Sequence, residues 1–269
     1  MQQSIRSSPT LLEIVILLSM ILALLGILLP ALQKIRSNAD RIRCSDNLRQ
    51  IGTAFLMYHD ARGLFPQGGD SGPDGGEARA EHRSEWSWAY HLLPYLGQID
   101  LYRADVAQVD QTAISTFYCP SRRSPAAGIA ALDYAGNAGS RLDGYNGTVL
   151  QGTTPKIGLR DIVDGADRTL LAGERRLNQA LLGRANNDCR PYNRPGWNAY
   201  AQAYRLGLDP PVRDWFNHSD DAVTSRFGSA HRTGLNALFA DGSVTHTRYD
   251  IDPTVWLRAS IRNDTMNVP

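Results

Sequence analysis

From Leu11 to Leu29 the chain is apolar at nearly every position: 14 of these 19 residues are Leu, Ile or Val, and the one charged residue is Glu13, near the start. At about 1.5 Å per residue a helix of this length reaches roughly 28 Å, close to the ~30 Å thickness of a bilayer's hydrocarbon core. Each Leu, Ile or Val favours insertion by about 0.3 to 0.6 kcal/mol, against a cost of roughly 3 kcal/mol for one central acid. The pattern therefore predicts a membrane-spanning helix. A secretory signal has an apolar region of about 7 to 15 residues that ends in a small-residue cleavage site; this run is longer and meets Pro30 instead. A soluble core helix apolar on all sides would need an apolar shell. The rest of the chain is too polar to supply one, with a mean hydropathy of −0.32 over all residues.

Beyond Pro30, apolar residues recur at Leu32, Ile35, Ala39, Ile42, Leu48, Ile51, Phe55 and Tyr58, in steps of three or four with one longer gap. This predicts that the helix continues past the proline, which removes one backbone hydrogen bond, and presents one apolar stripe able to cover a sheet. Gly63 and Pro66 supply stop signals, and Gly68 to Glu77 reads as a loop. Trp88, Leu92, Tyr95, Leu96, Ile99 and Tyr102 predict a second short helix with its aromatics inward, despite Pro94. Thr169 to Ala172, Leu235 to Ala240 and Ser243 to Thr247 suit strands. Asp241-Gly242 predicts a tight two-residue hairpin turn between the last two, because such turns need positive φ values. These elements predict an α+β body with an antiparallel sheet.

Composition narrows the function classes. A net charge of +1 gives no bulk field that would favour nucleic acid. The 3 cysteines, Cys44, Cys119 and Cys189, show no C-x-x-C spacing that would suggest zinc or a redox motif. No G-x-S-x-G, H-E-x-x-H or P-loop pattern occurs. His231 and Asp241, with His246 nearby, could in principle work as an acid-base or metal pair. The structural reading is preferred: Asp241 shapes its turn with Gly242, and His231 bonds to backbone where the strand begins. No enzymatic activity is therefore expected, and the 5 Trp and 11 Tyr suit a core or a sugar-binding face equally.

Several segments together carry a resemblance. They are Thr10-Leu11-Leu12-Glu13, Cys44-Ser45-Asp46-Asn47-Leu48-Arg49-Gln50-Ile51-Gly52, Trp86-Ser87-Trp88 with Leu92-Leu93-Pro94-Tyr95-Leu96, and Phe117-Tyr118-Cys119-Pro120-Ser121. Asp133-Tyr134-Ala135-Gly136-Asn137, Asp161-Ile162-Val163-Asp164-Gly165 through Gly173-Glu174, and Phe227-Gly228-Ser229-Ala230-His231 complete the series. His231, Asp241 and Gly242 have H-x9-DG spacing. Across nearly its whole length the chain resembles a large bacterial family of uncharacterised proteins that join a prepilin-type N-terminus to this C-terminal motif. Its first helix also resembles those of type IV pilins and type II secretion pseudopilins. That likeness implies a pilin-like fold: a leader over residues 1–8, a transmembrane helix with an amphipathic extension over 9–60, and a globular domain with a C-terminal hairpin over 61–269.

The resemblance also implies roles. Prepilins are cut by a membrane peptidase between Gly and Phe, with Glu five residues into the mature chain. Ser8 and Pro9 stand at the matching positions, and Pro9 restricts the backbone that a prepilin peptidase must grip. Glu13 is correctly spaced to meet the freed amine of a neighbouring subunit; alternatively it lies at the interface, snorkelling toward headgroups or pairing with Arg6. Lys34, Arg36, Arg41 and Arg43 after the helix would by charge put the body inside the cell, whereas prepilin-like chains place it outside.

Cys44 and Cys119 both fall in family-like segments. A bridge between them would clamp helix to domain in an oxidising compartment; the other reading is two buried thiols. Some pseudopilins bind calcium through acidic loops, which makes Asp70, Asp74 and Glu77 candidates for calcium. Asp161, Asp164 and Asp167 form a second acidic set that turn formation and capping explain equally well. The function expected is that of a pilin-like or pseudopilin-like structural protein of the inner membrane, its body periplasmic or extracellular. Its partners would be the lipid bilayer and similar subunits or secretion machinery. The alternative is a membrane-tethered module that binds a glycan, a solute or a protein.

Overall fold

A computed structural model describes residues 11–70, 82–125, 128, 130–141, 145–152, 155–184, 188, 192, 204–219 and 225–264. The chain divides into two units between Asp40 and Arg41. The first consists of the apolar part of helix α1, which as a whole runs Leu11–Arg62 with Pro30 inside it. Its most apolar 18-residue window has a mean hydropathy of 2.9 and is 0% buried. Leucine, isoleucine and valine side chains from Leu11 to Leu29 stand open all round, as do Leu32 and Ile35. The chain thus carries one long apolar N-terminal helix of the kind that anchors a single-pass membrane protein.

The second unit begins with the remaining turns of α1. Cys44, Leu48, Ile51 and Phe55 recur at helical spacing and are buried, together with Gly52 and Ala54. A Cβ on Gly52 would come within 2.6 Å of Leu238 Cδ1, so the missing side chain lets the helix backbone lie close to the sheet. Phe55 packs on Trp88, with ring centroids 5.2 Å apart, and on Phe65 at 6.2 Å. Arg41 O accepts the side-chain amide of Asn236 at 3.2 Å, which ties this part of the helix to the sheet.

The single helix expected around Trp88 to Tyr102 is in fact broken. Helices α2 (Trp88–His91) and α3 (Ile99–Arg103) flank a 3-10 turn over Leu93–Leu96. Pro94 suits the start of that turn but cannot donate within a helix, and Gly97 ends it at φ +74°. Helix α4 (Val106–Gln111) follows, capped by Asp105.

The sheet contains strands β1 (Tyr134–Asn137), β2 (Leu170–Glu174), β3 (Tyr204–Arg205), β6 (Gly234–Phe239) and β7 (Val244–Arg248), in the order β3-β1-β2-β6-β7. Strands β4 (Val212–Arg213) and β5 (Gly228–Ser229) form a separate parallel pair. The five-stranded sheet is mixed, which corrects the expectation of an antiparallel one. Three of its ladders are antiparallel, but β1 pairs β3 in parallel, with Gly136 opposite Tyr204 and Asn137 opposite Arg205. A parallel pair needs a long crossover, and the chain between Asn137 and Tyr204 supplies one by way of β2.

The hairpin around Asp241-Gly242 joins β6 to β7, with Leu238 opposite Val244. Phe239 N donates to Ser243 O at 2.8 Å, so the loop is one residue longer than the two-residue turn expected. Gly242 takes φ +89°, the left-handed position that three-residue hairpin loops require. Helix α5 (Pro253–Ser260) closes the fold, capped by Asp252, with Trp256 buried against Phe227. Trp86, Trp88 and Trp256 are all buried, so these aromatics build core and offer no sugar-binding face.

Candidate functional site

Four elements converge on one buried point. Cys44 lies on the covered face of α1, where its carbonyl accepts the Tyr134 hydroxyl at 3.4 Å. Cys119 follows a 3-10 turn over Ser115–Phe117, and its amide donates to Asp133 Oδ2 at 2.8 Å. Glu174 is the last residue of β2, the middle strand of the sheet. The β2–β6 ladder ends with Gly173 opposite Ala237, and the next amide, Asn236 N, donates instead to Glu174 Oε2 at 2.7 Å. His231 sits just past β5, held by Ser229 Oγ, which accepts its amide at 3.2 Å, and by the Tyr249 hydroxyl, which donates to its carbonyl at 3.0 Å.

The four side chains meet closely. His231 Nε2 is 3.0 Å from Glu174 Oε1, and Cys119 Sγ lies 3.5 Å from that oxygen and 3.9 Å from the imidazole nitrogen. Cys44 and Cys119 are disulfide-bonded, with Cα atoms 5.2 Å apart. One donor atom from each of Cys44, Cys119, Glu174 and His231 lies within 4.8 Å of all the others, and all four residues are buried. With the disulfide reduced, two sulfurs, an imidazole nitrogen and a carboxylate oxygen would make up a ligand set suited to a thiophilic metal.

Charged residues ring the cluster. Arg122 donates from Nε to Asp214 Oδ2 at 2.8 Å and from Nη2 to Arg175 O at 2.9 Å, with both charged side chains 0% exposed. Arg123 bridges Asp133 and Asp188, and Asp188 also receives Arg175. Burial works against ionisation of Asp133, but the guanidiniums of Arg123 and Arg122 and the Cys119 amide outweigh it and hold the carboxyl below its usual range. Arg122 is likewise penalised by burial, yet Asp214 and Asp133 raise its pKa above the ordinary value. In Arg175 burial prevails over the pull of Asp188, and its pKa falls to about 10. Arg205 is lowered further, by burial and then by the like charge of Arg175.

His231 and Asp241 do not come together. They stand at opposite ends of β6; the His231 ring faces Glu174 and Cys119, while Asp241 Oδ1 accepts the Ser243 amide at 2.9 Å. The expectation that His231 would bond to backbone is corrected for its ring, because a buried imidazole beside a carboxylate pairs with it. Glu13 lies in the first turn of α1 and is exposed. Asp161 Oδ2 accepts Gly158 N at 2.7 Å and Asp164 Oδ2 accepts Asp264 N at 2.7 Å, so both serve loop geometry. Ser8, Pro9, Asp74, Glu77 and Cys189 lie outside the described residues, which leaves Asp70 alone of the loop candidates within them.

Glu174 and Asp133 entered the sequence reading only inside family-like segments, with no role given to them, and Arg122, Arg123, Arg175, Asp188 and Asp214 did not enter it at all. The signal available was Glu174-Arg175 placed directly after the apolar run Leu170–Gly173, a position where charge is out of keeping with a buried strand.

Elsewhere on the body, Tyr145, Lys156, Ile157, Arg160, Asp161 and Arg262 line a cleft of about 380 Å³. Arg262 Nη1 is already held by the carbonyls of Tyr145 and Gly147.

Residues 33–254 match the family described as "Protein of unknown function (DUF1559)". No curated protein matches the chain. No solved structure matches it either. The matched stretch covers most of the chain, which therefore belongs to that family.

Proposed function

We propose that this member of the DUF1559 family is a membrane-anchored, pilin-like structural protein that assembles through its N-terminal helix, in a surface filament or a type II secretion-like system. One observation carries the reading: an apolar window of α1 with a mean hydropathy of 2.9 and no burial. Side chains from Leu11 to Ile35 that stand exposed among the described residues call for a cover of lipid or of the equivalent helices of sister subunits.

Assembly would be driven by packing of these helices, with Glu13 fixing register against a neighbour's N-terminal amine. An acid near the start of an apolar helix is costly in lipid unless paired. The prepilin-type start and the H-x9-DG motif of His231, Asp241 and Gly242 support the same reading. It places the helix in the inner membrane and the body on its outer side, where a Cys44–Cys119 disulfide can persist. Glu13→Ala should lower the yield of assembled material several-fold while leaving the folded body intact; an unchanged yield would refute the role of Glu13.

The second reading is a membrane-tethered binding module. The cleft beside Lys156 and Arg160 favours it, as a partly basic pocket able to hold a small anionic group. A chain that remains monomeric in native membranes and retains an anionic solute would support this alternative.

A further inference from the structure

We propose that Cys44, Cys119, Glu174 and His231 form a zinc-class metal site whenever the two sulfurs are reduced. The site would then have two mutually exclusive states, a disulfide and a metal dithiolate. The proposal is independent of the assembly function.

The argument begins with the geometry of the donor atoms. Zinc–sulfur bonds of about 2.3 Å and zinc–nitrogen or zinc–oxygen bonds of about 2.0–2.1 Å give a tetrahedron with edges of roughly 3.3–3.8 Å. The cluster already has edges of 3.0 Å from His231 to Glu174, 3.5 Å from Glu174 to Cys119 and 3.9 Å from Cys119 to His231. Once the bond between them is broken the two sulfurs must move apart, to about 3.8 Å, and Cys44 Sγ, which lies within 4.8 Å of the other donor atoms, must settle at tetrahedral distance from them.

The chemistry of the neighbours points the same way. A disulfide sulfur carries no proton, so Cys119 does not donate to the Glu174 oxygen 3.5 Å away; the two atoms lie in van der Waals contact, where both can turn lone pairs toward one cation. The supporting contacts are those that well-defined metal sites use to orient ligands. Asn236 N fixes Glu174 Oε2, Asp133 Oδ2 fixes the Cys119 amide, and the Tyr134 hydroxyl reaches the Cys44 carbonyl. All four ligand positions come from buried protein groups, the pattern of a structural zinc site.

Charge allows the exchange. The disulfide carries no charge, and a dication held by the two thiolates that replace it also sums to none, so the exchange leaves the charge of the site as it was. Buried Arg122, which feels Glu174 directly, meets the same net charge in both states. To pass from the first to the second, a dithiol breaks the Cys44–Cys119 bond and closes into its own disulfide, delivering two electrons and two protons to the sulfurs. The zinc ion then displaces both thiol protons to solvent.

The test uses the full chain in detergent, reduced with a phosphine and titrated with Co²⁺ as a spectroscopic stand-in. The expected result is one tightly bound Co²⁺ per chain, with the intense visible bands of tetrahedral cobalt, thiolate-to-cobalt charge transfer, and displacement by Zn²⁺. The oxidised chain should show none of this. Cys189→Ser should leave the spectrum unchanged, whereas His231→Gln, which can still form the disulfide, should weaken binding at least tenfold and alter the visible bands. If reduction alone erases the near-ultraviolet circular dichroism, Zn²⁺ should restore it. Absence of a tetrahedral cobalt spectrum, a spectrum unaltered in both His231→Gln and Glu174→Gln, or failure of Zn²⁺ to restore a lost fold would each overturn the proposal.

Discussion

Glu174 Oε1 and His231 Nε2 meet at 3.0 Å in the interior of the body, although 57 residues separate them in sequence. One residue closes the middle strand of the sheet and the other opens the approach to β6, so their contact joins strand β2 to the loop that carries the H-x9-DG histidine. Neither group is exposed by more than 4%.

The pair makes Glu174 a sensitive position. Replacement by Ala removes the acceptor of both the Asn236 amide and the His231 ring and leaves two buried polar groups without it. A loss of about 3–5 kcal/mol is expected, as for other broken buried pairs. Glu174→Gln keeps an oxygen for the Asn236 amide and should cost less than half as much. Denaturant unfolding of the two variants checks the order; equal losses would show that the oxygen kept for the Asn236 amide contributes nothing to stability.

Cys44 and Cys119 close a loop of 75 residues between the helix and the body. Loop-closure entropy assigns such a link about 4.5 kcal/mol, mostly through the unfolded chain. In the presence of a strong chelator, reduction should therefore lower the unfolding free energy by about 2–4 kcal/mol. A midpoint that is insensitive to reductant would contradict the pairing.

His91, at the end of α2, has its pKa lowered to about 4, first by burial and then by the charges of Lys156 and Arg62. In the unfolded chain it titrates near 6.5. Between these values the unfolded chain binds more protons, so this group's contribution is complete above about pH 6.5 and is lost as the pH falls toward 4. The full span amounts to about 3 kcal/mol at most, reduced by solvent near this partly exposed ring. His91→Gln should flatten the stability profile between about pH 6.5 and 4; an unchanged slope would rule out His91 as its source.

The long helix was legible because nothing else in the chain repeats apolar residues so densely. The final hairpin was legible because Asp241-Gly242 marks a turn between an apolar run and a segment rich in β-branched residues. Both signals are local. The parallel pairing of β1 with β3 was not, since Tyr204–Arg205 is too short to show any period and its partner is fixed by a long crossover. The Glu174–His231–Cys119 contact escaped for the same reason: sequence separations of 55 to 112 residues leave no trace in spacing. Even so, the two family-like cysteines pointed to one end of it, and His231 to the other.

The central claim, that the exposed apolar helix is a site of assembly within the membrane, is tested most directly by placing a photo-crosslinking side chain at Leu22, which is 68% exposed. Irradiation of native membranes should give a ladder of adducts in which this chain is joined to itself or to similar helices. Adducts to lipid alone, with the protein remaining monomeric, would contradict it.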